Sequence, residues 1–434
     1  MTATTKPHWS NWAGNVHATP RRLEKPRSEA ELVDVVRRAA AEGLRVRAVG
    51  GAHSFTPTAA SDDVMVSLDD YAGLESMDKE RGLFTVRAGT RLFDLNRILH
   101  AEGHAQENMG DINHQSVAGA ISTGTHGTGA AFGGISTQVQ ALRLIDGQGE
   151  VRTVDASDPD ALSAARVGLG ALGLISAVTL KAIPAYNLRM DIAAASLDEM
   201  LALAPEYARR HRHFEFYWIP YTNRVQVKRT DVSTDPCTER GRMDYFNDVV
   251  LENGAVQVLC KVGKALPQHN HHACHVMSLG ITPNSRIRPS WDVFGSTRNV
   301  RFTEMEYAVP QDATLSALRD LRAMLERLRL PVTMPVEVRF ARADDIMLST
   351  AYGRDVGYLA VHMFKDMDNR RYFREAEAIF RAYDGRPHWG KLHHLSADDF
   401  RQLYPRFEDF RAVRERFDPE RRFGNAYLTQ VLGD

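Results

Sequence analysis

The chain has 434 residues, 43% hydrophobic and 25% charged, with 54 basic and 55 acidic side chains and a formal net charge of -1. This composition is that of an ordinary globular protein, which excludes a disordered or collagen-like chain. Its charge balance gives no global pull toward nucleic acid or an anionic membrane and leaves only a local basic patch open.

At about one domain per 100–200 residues, the length points to two or three domains. The opening MTATTKPHWSNWAGN lacks the apolar core of a signal peptide, and no apolar run reaches the roughly 18 residues of a spanning helix. Three cysteines, Cys237, Cys260 and Cys274, are too few for a disulfide framework, and the expected compartment is the cytoplasm.

Ser28 and Glu31 form an S-x-x-E capping box ahead of LVDVVRRAAAEG, which predicts an amphipathic helix ending at Gly43. Leu44–Val49 alternates like a strand and runs into Gly50-Gly51-Ala52-His53-Ser54-Phe55. Glycines there let backbone N–H groups approach phosphate oxygens, and a histidine in such a loop can attach to or polarise a cofactor. The competing reading is a glycine turn with a surface histidine. Further short strands are predicted from Val64, Leu83, Val139 and Val151, the last two joined by the hairpin turn Asp146-Gly147-Gln148-Gly149.

The stretch from Gly110 and Asp111 through Ser116, Gly119, Thr123, Gly124, Thr125 and His126 to Gly129 is nearly all small and hydroxylic. It carries too little apolar area for an ordinary amphipathic helix, but its amides and hydroxyls can wrap a polar ligand. Without a Walker lysine, two such loops favour a large phosphate-bearing cofactor outside the P-loop class; a purely structural loop is the alternative. Gly168-Leu169-Gly170-Ala171-Leu172-Gly173 matches G-x-G-x-x-G, but a helical segment precedes it and the strand LISAVTLKAI from Leu174 follows. The order is the reverse of a Rossmann unit, so that reading is rejected.

After Tyr186 the helices lengthen: SLDEMLALAPEYARR, a stretch around 244–266, LSALRDLRAMLERL and YFREAEAIFRAY. Between them lie the strand-like runs HFEFYWI, VRFTEMEYAV, TMPVEVRFA and GYLAVHMF. The expected class is α+β, with an antiparallel sheet carrying helices on one face in this second domain. Glu337 and Arg339 share one face of a strand, His362 lies on the next, and Lys391 follows in the loop Arg386-Pro387-His388-Trp389-Gly390-Lys391. Such a set can bind a polyol, move a proton and stabilise an alkoxide, although taken alone the Glu337–Arg339 pair reads as an inert surface ion pair. The histidine-rich run 267–275 gives no tetrahedral ligand set and reads as a solvated helix start, so no metal is expected. No G-x-S-x-G or H-E-x-x-H motif is present.

Together NWAGN, VRAVGGAHSF, SVAGAISTGTHGTG, GALGLISAVTL, FTEMEYAVP, VEVRF, AYGRD, RPHWGK and FGNAYL span nearly the whole chain. They resemble the sugar-lactone and alditol oxidases of the vanillyl-alcohol-oxidase flavoprotein superfamily, the bacterial L-gulono-1,4-lactone oxidases and dehydrogenases in particular. The resemblance implies a two-part FAD-binding domain, residues 1–185 with a returning C-terminal segment 396–434, and a substrate-capping domain over 186–395. It implies FAD carried covalently by His53, with Gly50, Gly51, Ala52 and Ser54 at the pyrophosphate. Gly110, Ser116, Gly119, Thr123, Gly124, Thr125, His126 and Ile175 supply further contacts. It also implies Glu337, Arg339, His362 and Lys391 as active-site residues at the flavin, with Asp111 beside them, which replaces the inert reading of the ion pair.

Two departures from the alditol oxidases, Asp111 for a serine and Phe364 for a threonine, favour an aldonolactone over a linear polyol. The implied reaction passes a hydride to flavin N5 and gives a 2-keto-lactone that enolises to an ascorbate-type product. Arg339 and Lys391 would stabilise charge, and Glu337 or His362 would take the proton. Gly110 points to molecular oxygen as acceptor. The alternatives are an alditol oxidase, an aldonolactone dehydrogenase with another acceptor, or a nucleotide-binding protein without redox chemistry. Neither nucleic acid nor a membrane span is an expected partner.

Overall fold

The computed structural model describes residues 7–239, 254, 256–295 and 300–434. Ser28 caps the helix Glu29–Ala41 by accepting from the Glu31 N–H, and Leu32, Val35, Val36 and Ala39 bury its apolar stripe. The expected box is altered, since the Glu31 carboxylate takes the Arg27 N–H instead of that of the cap. The strands Arg22–Glu24, Val64–Ser67 and Val46–Val49 form a small parallel sheet with Val64–Ser67 in the middle. Beside it lies a five-stranded antiparallel sheet in the order Val151–Val154, Val139–Ile145, Leu174–Lys181, Leu83–Arg87, Leu74–Asp78. The 146–149 turn is held by Asp146, whose carboxylate accepts from the N–H groups of Gln148 and Glu150.

A six-residue helix, Val117–Ser122, stands inside the small-residue stretch that was expected to be irregular. It forms because Val117, Ala118, Ala120 and Ile121 are all buried, so tertiary packing replaces an amphipathic face. Gly168–Gly173 lies between the helix Pro159–Arg166 and the strand Leu174–Lys181, in the order that excludes a Rossmann turn.

The second half is built on one eight-stranded antiparallel sheet. Its spatial order is Asn284–Pro289, Asn187–Ser196, Arg224–Ser233, His213–Trp218, Val336–Ala341, Val356–Phe364, Phe302–Pro310, Arg386–Pro387. Two of its long strands, Asn187–Ser196 and Arg224–Ser233, lie outside the predicted elements and pair with each other along their whole length. Alternation sorts the central strands into two faces. Phe214, Phe216, Met305, Tyr307, Val338, Phe340, Leu359 and Val361 join the core under the helices Leu197–Arg210, Thr314–Leu328 and Arg370–Ala382. The opposite face carries Glu215, Tyr217, Glu304, Glu306, Glu337, Arg339 and His362. Of the helix expected around 244–266, Val256–Ala265 is helical, while residues 244–253 and 255 lie outside the described residues.

The C-terminal helices Ala397–Leu403, Phe407–Phe417 and Ala426–Leu432 return to the first half. The Arg422 carbonyl accepts from the Val46 N–H, and the Asn425 amide donates to the Pro57 and Ala60 carbonyls. Arg47 fixes the junction. Its fully buried guanidinium donates to the carbonyls of Thr58, Leu169, Gly170 and Phe423. Burial, reinforced by Arg414, pulls its pKa down to about 9 against the opposing effect of Asp418.

Candidate active site

Two clefts meet at the loop after the strand Val46–Val49. The first, about 850 Å3, is walled by residues 47–54, by Ser116, Ala118, Gly119 and Thr123, and by Leu169, Gly170 and Gly173–Ile175. The second, about 720 Å3, shares His53, Ser54, Gln115 and Thr123 with the first and ends in charged side chains. The walls of the first are close-set. A Cβ on Gly50 would stand 1.9 Å from the Ser116 hydroxyl, and one on Gly51 would stand 2.7 Å from the His114 carbonyl. Ala52 takes φ 55°, a left-handed backbone, and its carbonyl accepts from the Trp12 N–H. His53 stands at the junction 5.8 Å from the Trp12 ring. Burial, followed by His114, Arg91 and Lys391, lowers its pKa to about 4, so its imidazole is neutral at physiological pH.

The second cleft is floored by the polar face of the large sheet. Register sets Glu306, Ala360, Glu337 and Tyr217 side by side on four neighbouring strands. Arg339, in the next row, is gripped by three buried carboxylates. Its Nε lies 2.7 Å from Glu215, and its Nη2 lies 2.6 Å from Asp111 and 2.5 Å from Glu337. Tyr217 donates toward the same group, 2.8 Å from Glu337. Burial opposes the charge on Arg339, but Asp111, Glu215 and Glu337 hold its pKa well above the usual arginine value.

Lys391 reaches in from the 386–391 loop with Nζ 2.5 Å from Glu304 and 5.2 Å from the centre of the Phe55 ring. The loop is tied to the His53 segment by Phe55 N–H to Gly390 carbonyl and by the Thr56 hydroxyl to the Trp389 carbonyl. His126 Nε2 lies 3.2 Å from Glu306, and its ring stacks on Tyr358 at 3.5 Å. Burial favours the neutral acid at Glu306, yet His126, Lys391 and His388 hold its pKa far below the carboxylate norm. His388 accepts from the Gly390 N–H through Nδ1, and burial pushes its pKa down to about 3.

Of the residues picked out from sequence, Gly50, Gly51, Ala52, Ser116, Gly119 and Ile175 line the first cleft, with His53, Ser54 and Thr123 lining both. Gly110, Asp111, Thr125, His126, Glu337, Arg339 and Lys391 line the second. Two residues stand apart. Gly124 faces Val167 outside both clefts. His362 sits behind Glu304, its Nε2 3.6 Å away and its Nδ1 donating to the Pro335 carbonyl. The Glu337–Arg339 pair is buried, not the solvated surface pair that the strand alone suggested.

Sequence reasoning missed Trp12, Arg47, Glu215, Tyr217, Phe302, Glu304, Glu306 and His388. The signal was there for four of them, since Glu215 with Tyr217 and Glu304 with Glu306 are polar pairs two apart in otherwise apolar strands. Two groups of ligand-type side chains come together: Asp111, Glu215 and Glu337 around the Arg339 guanidinium, and His126, Glu306 and His388. The 267–275 histidines join no such group among the described residues.

A family model described as D-arabinono-1,4-lactone oxidase matches residues 178–431, and one described as FAD binding domain matches residues 20–155. The chain is 40% identical to an L-gulono-1,4-lactone dehydrogenase of Mycobacterium tuberculosis, over 98% of its own length and 99% of that protein. It is 33% identical to an L-gulonolactone oxidase of Bos taurus, over 98% of each. Its fold superposes with a TM-score of 0.86 on a cholesterol oxidase crystal structure from B. sterolicum at 17% identity, covering 98% of this chain and 97% of the other.

Proposed function

The chain belongs to the aldonolactone oxidase family of the vanillyl-alcohol-oxidase flavoproteins and is an FAD-dependent oxidoreductase, and from this premise we propose that it oxidises the C2 hydroxyl of L-gulono-1,4-lactone or a close aldonolactone to the 2-keto-lactone. The observation that carries this reading is the pair of clefts meeting at His53, one walled by close-set glycine and hydroxyl loops, the other floored by buried charge. The first is a cradle for an extended dinucleotide, because added Cβ atoms at Gly50 and Gly51 would fill or distort its wall. Residues 1–185 and 396–434 would hold FAD and residues 186–395 the substrate, with His53 as the point of covalent attachment. The neutral imidazole of His53 is the form able to make that bond.

FAD supplies the two-electron acceptor for the hydride. Around it, Arg339 and Lys391 present fixed positive charge where the substrate oxygen gains negative charge. Glu337 orients the reacting hydroxyl and takes its proton. His362 acts through Glu304, which holds Lys391. Asp111, bound to Arg339, sets the guanidinium, and its charged carboxylate in place of a hydroxyl favours the lactone over an alditol.

Molecular oxygen is the proposed acceptor, since Gly110 sets no side chain at the second cleft. A second reading, a non-oxygen acceptor, stands beside it, because Gly110 does not discriminate between the two. A Cβ on Gly110 would lie 2.9 Å from the His126 carbonyl, so packing alone demands glycine there whatever the acceptor. Anaerobic bleaching of the flavin by L-gulono-1,4-lactone and by xylitol tests the substrate; faster bleaching by xylitol would overturn the lactone. Reoxidation in air, compared with reoxidation by cytochrome c, separates the two acceptors.

A further inference from the structure

We propose that the outer faces of the helices Val256–Ala265 and Asn270–Leu279 form a docking surface for an anionic lipid bilayer. Among the described residues eight large apolar side chains are exposed, and five of them lie here: Val258, Val262, Leu266, Val276 and Leu279. Val258, Val262 and Leu266 are four apart and make one stripe along the first helix and its end. Leu279, at 69%, is the most exposed of the eight. Scattered exposed residues need no explanation, but a cluster of this kind marks a binding surface.

The inner faces have a different task. Cys260, Gly263, Ala273 and Cys274 are buried, and a Cβ on Gly263 would strike Thr333 at 2.5 Å. The hairpin is thus seated firmly, with its second side turned outward.

Charge selects the occupant. From 256 to 291 the chain has no acidic residue, while Lys261, Lys264 and four histidines fall within the two helices and their turn. Lys264 is 3.5 Å from Asp366 in an exposed pair, weak enough for a lipid phosphate to compete. Apolar side chains beside Lys261 and Lys264, with the exposed Asp366 as the one acid paired to them among the described residues, match an anionic headgroup layer over a hydrocarbon boundary. A protein partner is the poorer match, because residues 256–283 contain no Trp, Tyr or Arg to act as anchors. The docked face would lie next to the active site, since Cys260 packs in the cluster that holds Phe55 and Phe302 at the second cleft.

The test is flotation of the flavin-loaded full chain with phosphatidylcholine vesicles and with vesicles carrying about one-third phosphatidylglycerol. Binding to the anionic vesicles at low salt, weakened by salt, is expected. V262E/L266E should lower partitioning at least about tenfold, and K261E should reduce the preference for anionic lipid. V276E/L279E, on the other helix, gives the same readout should the first pair fail to fold, with flavin absorbance and melting temperature as the controls. Absence of binding to anionic vesicles, or equal binding by correctly folded variants, overturns the proposal. So does a dimer of the parent chain that V262E/L266E splits while vesicles bind neither, which would assign the face to a second copy.

Discussion

Glu304→Gln tests whether the lysine of the site is held by its carboxylate. The substitution keeps the shape and removes the charge 2.5 Å from Lys391 Nζ. A hydrogen bond to a charged group contributes about 1.5–3 kcal/mol. Here the Glu304 side chain is 6% exposed and that of Lys391 17%, so the freed ammonium still reaches some water. The cost to stability therefore falls near the low end, about 1–2 kcal/mol, a fall of a few degrees in Tm. The catalytic cost is larger. An ammonium displaced by about an ångström loses roughly 100-fold in rate, because its stabilisation acts on charge that develops at one place.

The assay is anaerobic stopped-flow reduction of the bound flavin by L-gulono-1,4-lactone, with FAD content read from absorbance. kcat should fall and FAD content should stay at the parent level. Glu304→Asp should recover part of the rate. His362→Ala should cost less and should add little to Glu304→Gln, because the polar contact of His362 with the site runs through that carboxylate. A Glu304→Gln enzyme reduced within about twofold of the parent rate would refute the reasoning, as would loss of FAD in proportion to loss of rate.

His53→Ala should leave flavin that acid denaturation releases, whereas the parent should keep its yellow colour on the precipitated chain; colour retained by the variant would refute the attachment. Gly50→Ala should cost about 1–3 kcal/mol by overpacking against Ser116 and lower FAD content, with partial recovery in Gly50→Ala/Ser116→Gly measured by thermal melting. Burial lowers His213 and His393 to about 4 and His388 to about 3, below the unfolded value near 6.5. Between about pH 6.5 and pH 4 the unfolded chain then binds more protons, so stability rises with pH across that window. Scanning calorimetry should show Tm falling as pH is lowered through it, less so in His213→Asn; a flat profile would contradict the burial argument.

The sequence made the local elements legible where one face of an element is apolar and the other is not. The helix Glu29–Ala41 and the strands from Val64, Leu83, Val139 and Leu174 stand where their patterns placed them. Asn187–Ser196 and Arg224–Ser233 were not predicted, although Leu188, Met190 and Ile192 in the first and Val225 and Val227 in the second alternate with polar residues; each is completed by pairing with the other. The candidate site divides the same way. Loops rich in glycine announce themselves through composition, and the partner of each carboxylate does not. Glu304 and Lys391 are 87 residues apart, and Arg339 and Glu215 are 124 apart. Arg47 was hidden for the same reason, as all its acceptors are backbone carbonyls that any sequence would supply.

The protonation of the site follows from which atoms already have partners. His126 Nδ1 is 2.8 Å from the Gly127 carbonyl, which can only accept, so that nitrogen carries a hydrogen. Nε2 then faces Glu306 at 3.2 Å. Glu306 is held ionised despite burial by His126, Lys391 and His388. Each carboxylate on the polar face thus has a nitrogen group against it: the His126 imidazole for Glu306, the Lys391 ammonium for Glu304, and Arg339 with Lys228 for Asp111, Glu215 and Glu337. Buried pairs of this kind add little net stability, since desolvation offsets most of the attraction. Their effect is to fix charges in place without water, so that a hydroxyl losing its proton meets dipoles and cations that need not reorganise. On this account the polar row is built for the reaction and tolerated by the fold, and the apolar side chains on the reverse of the same strands supply the stability that lets it stand.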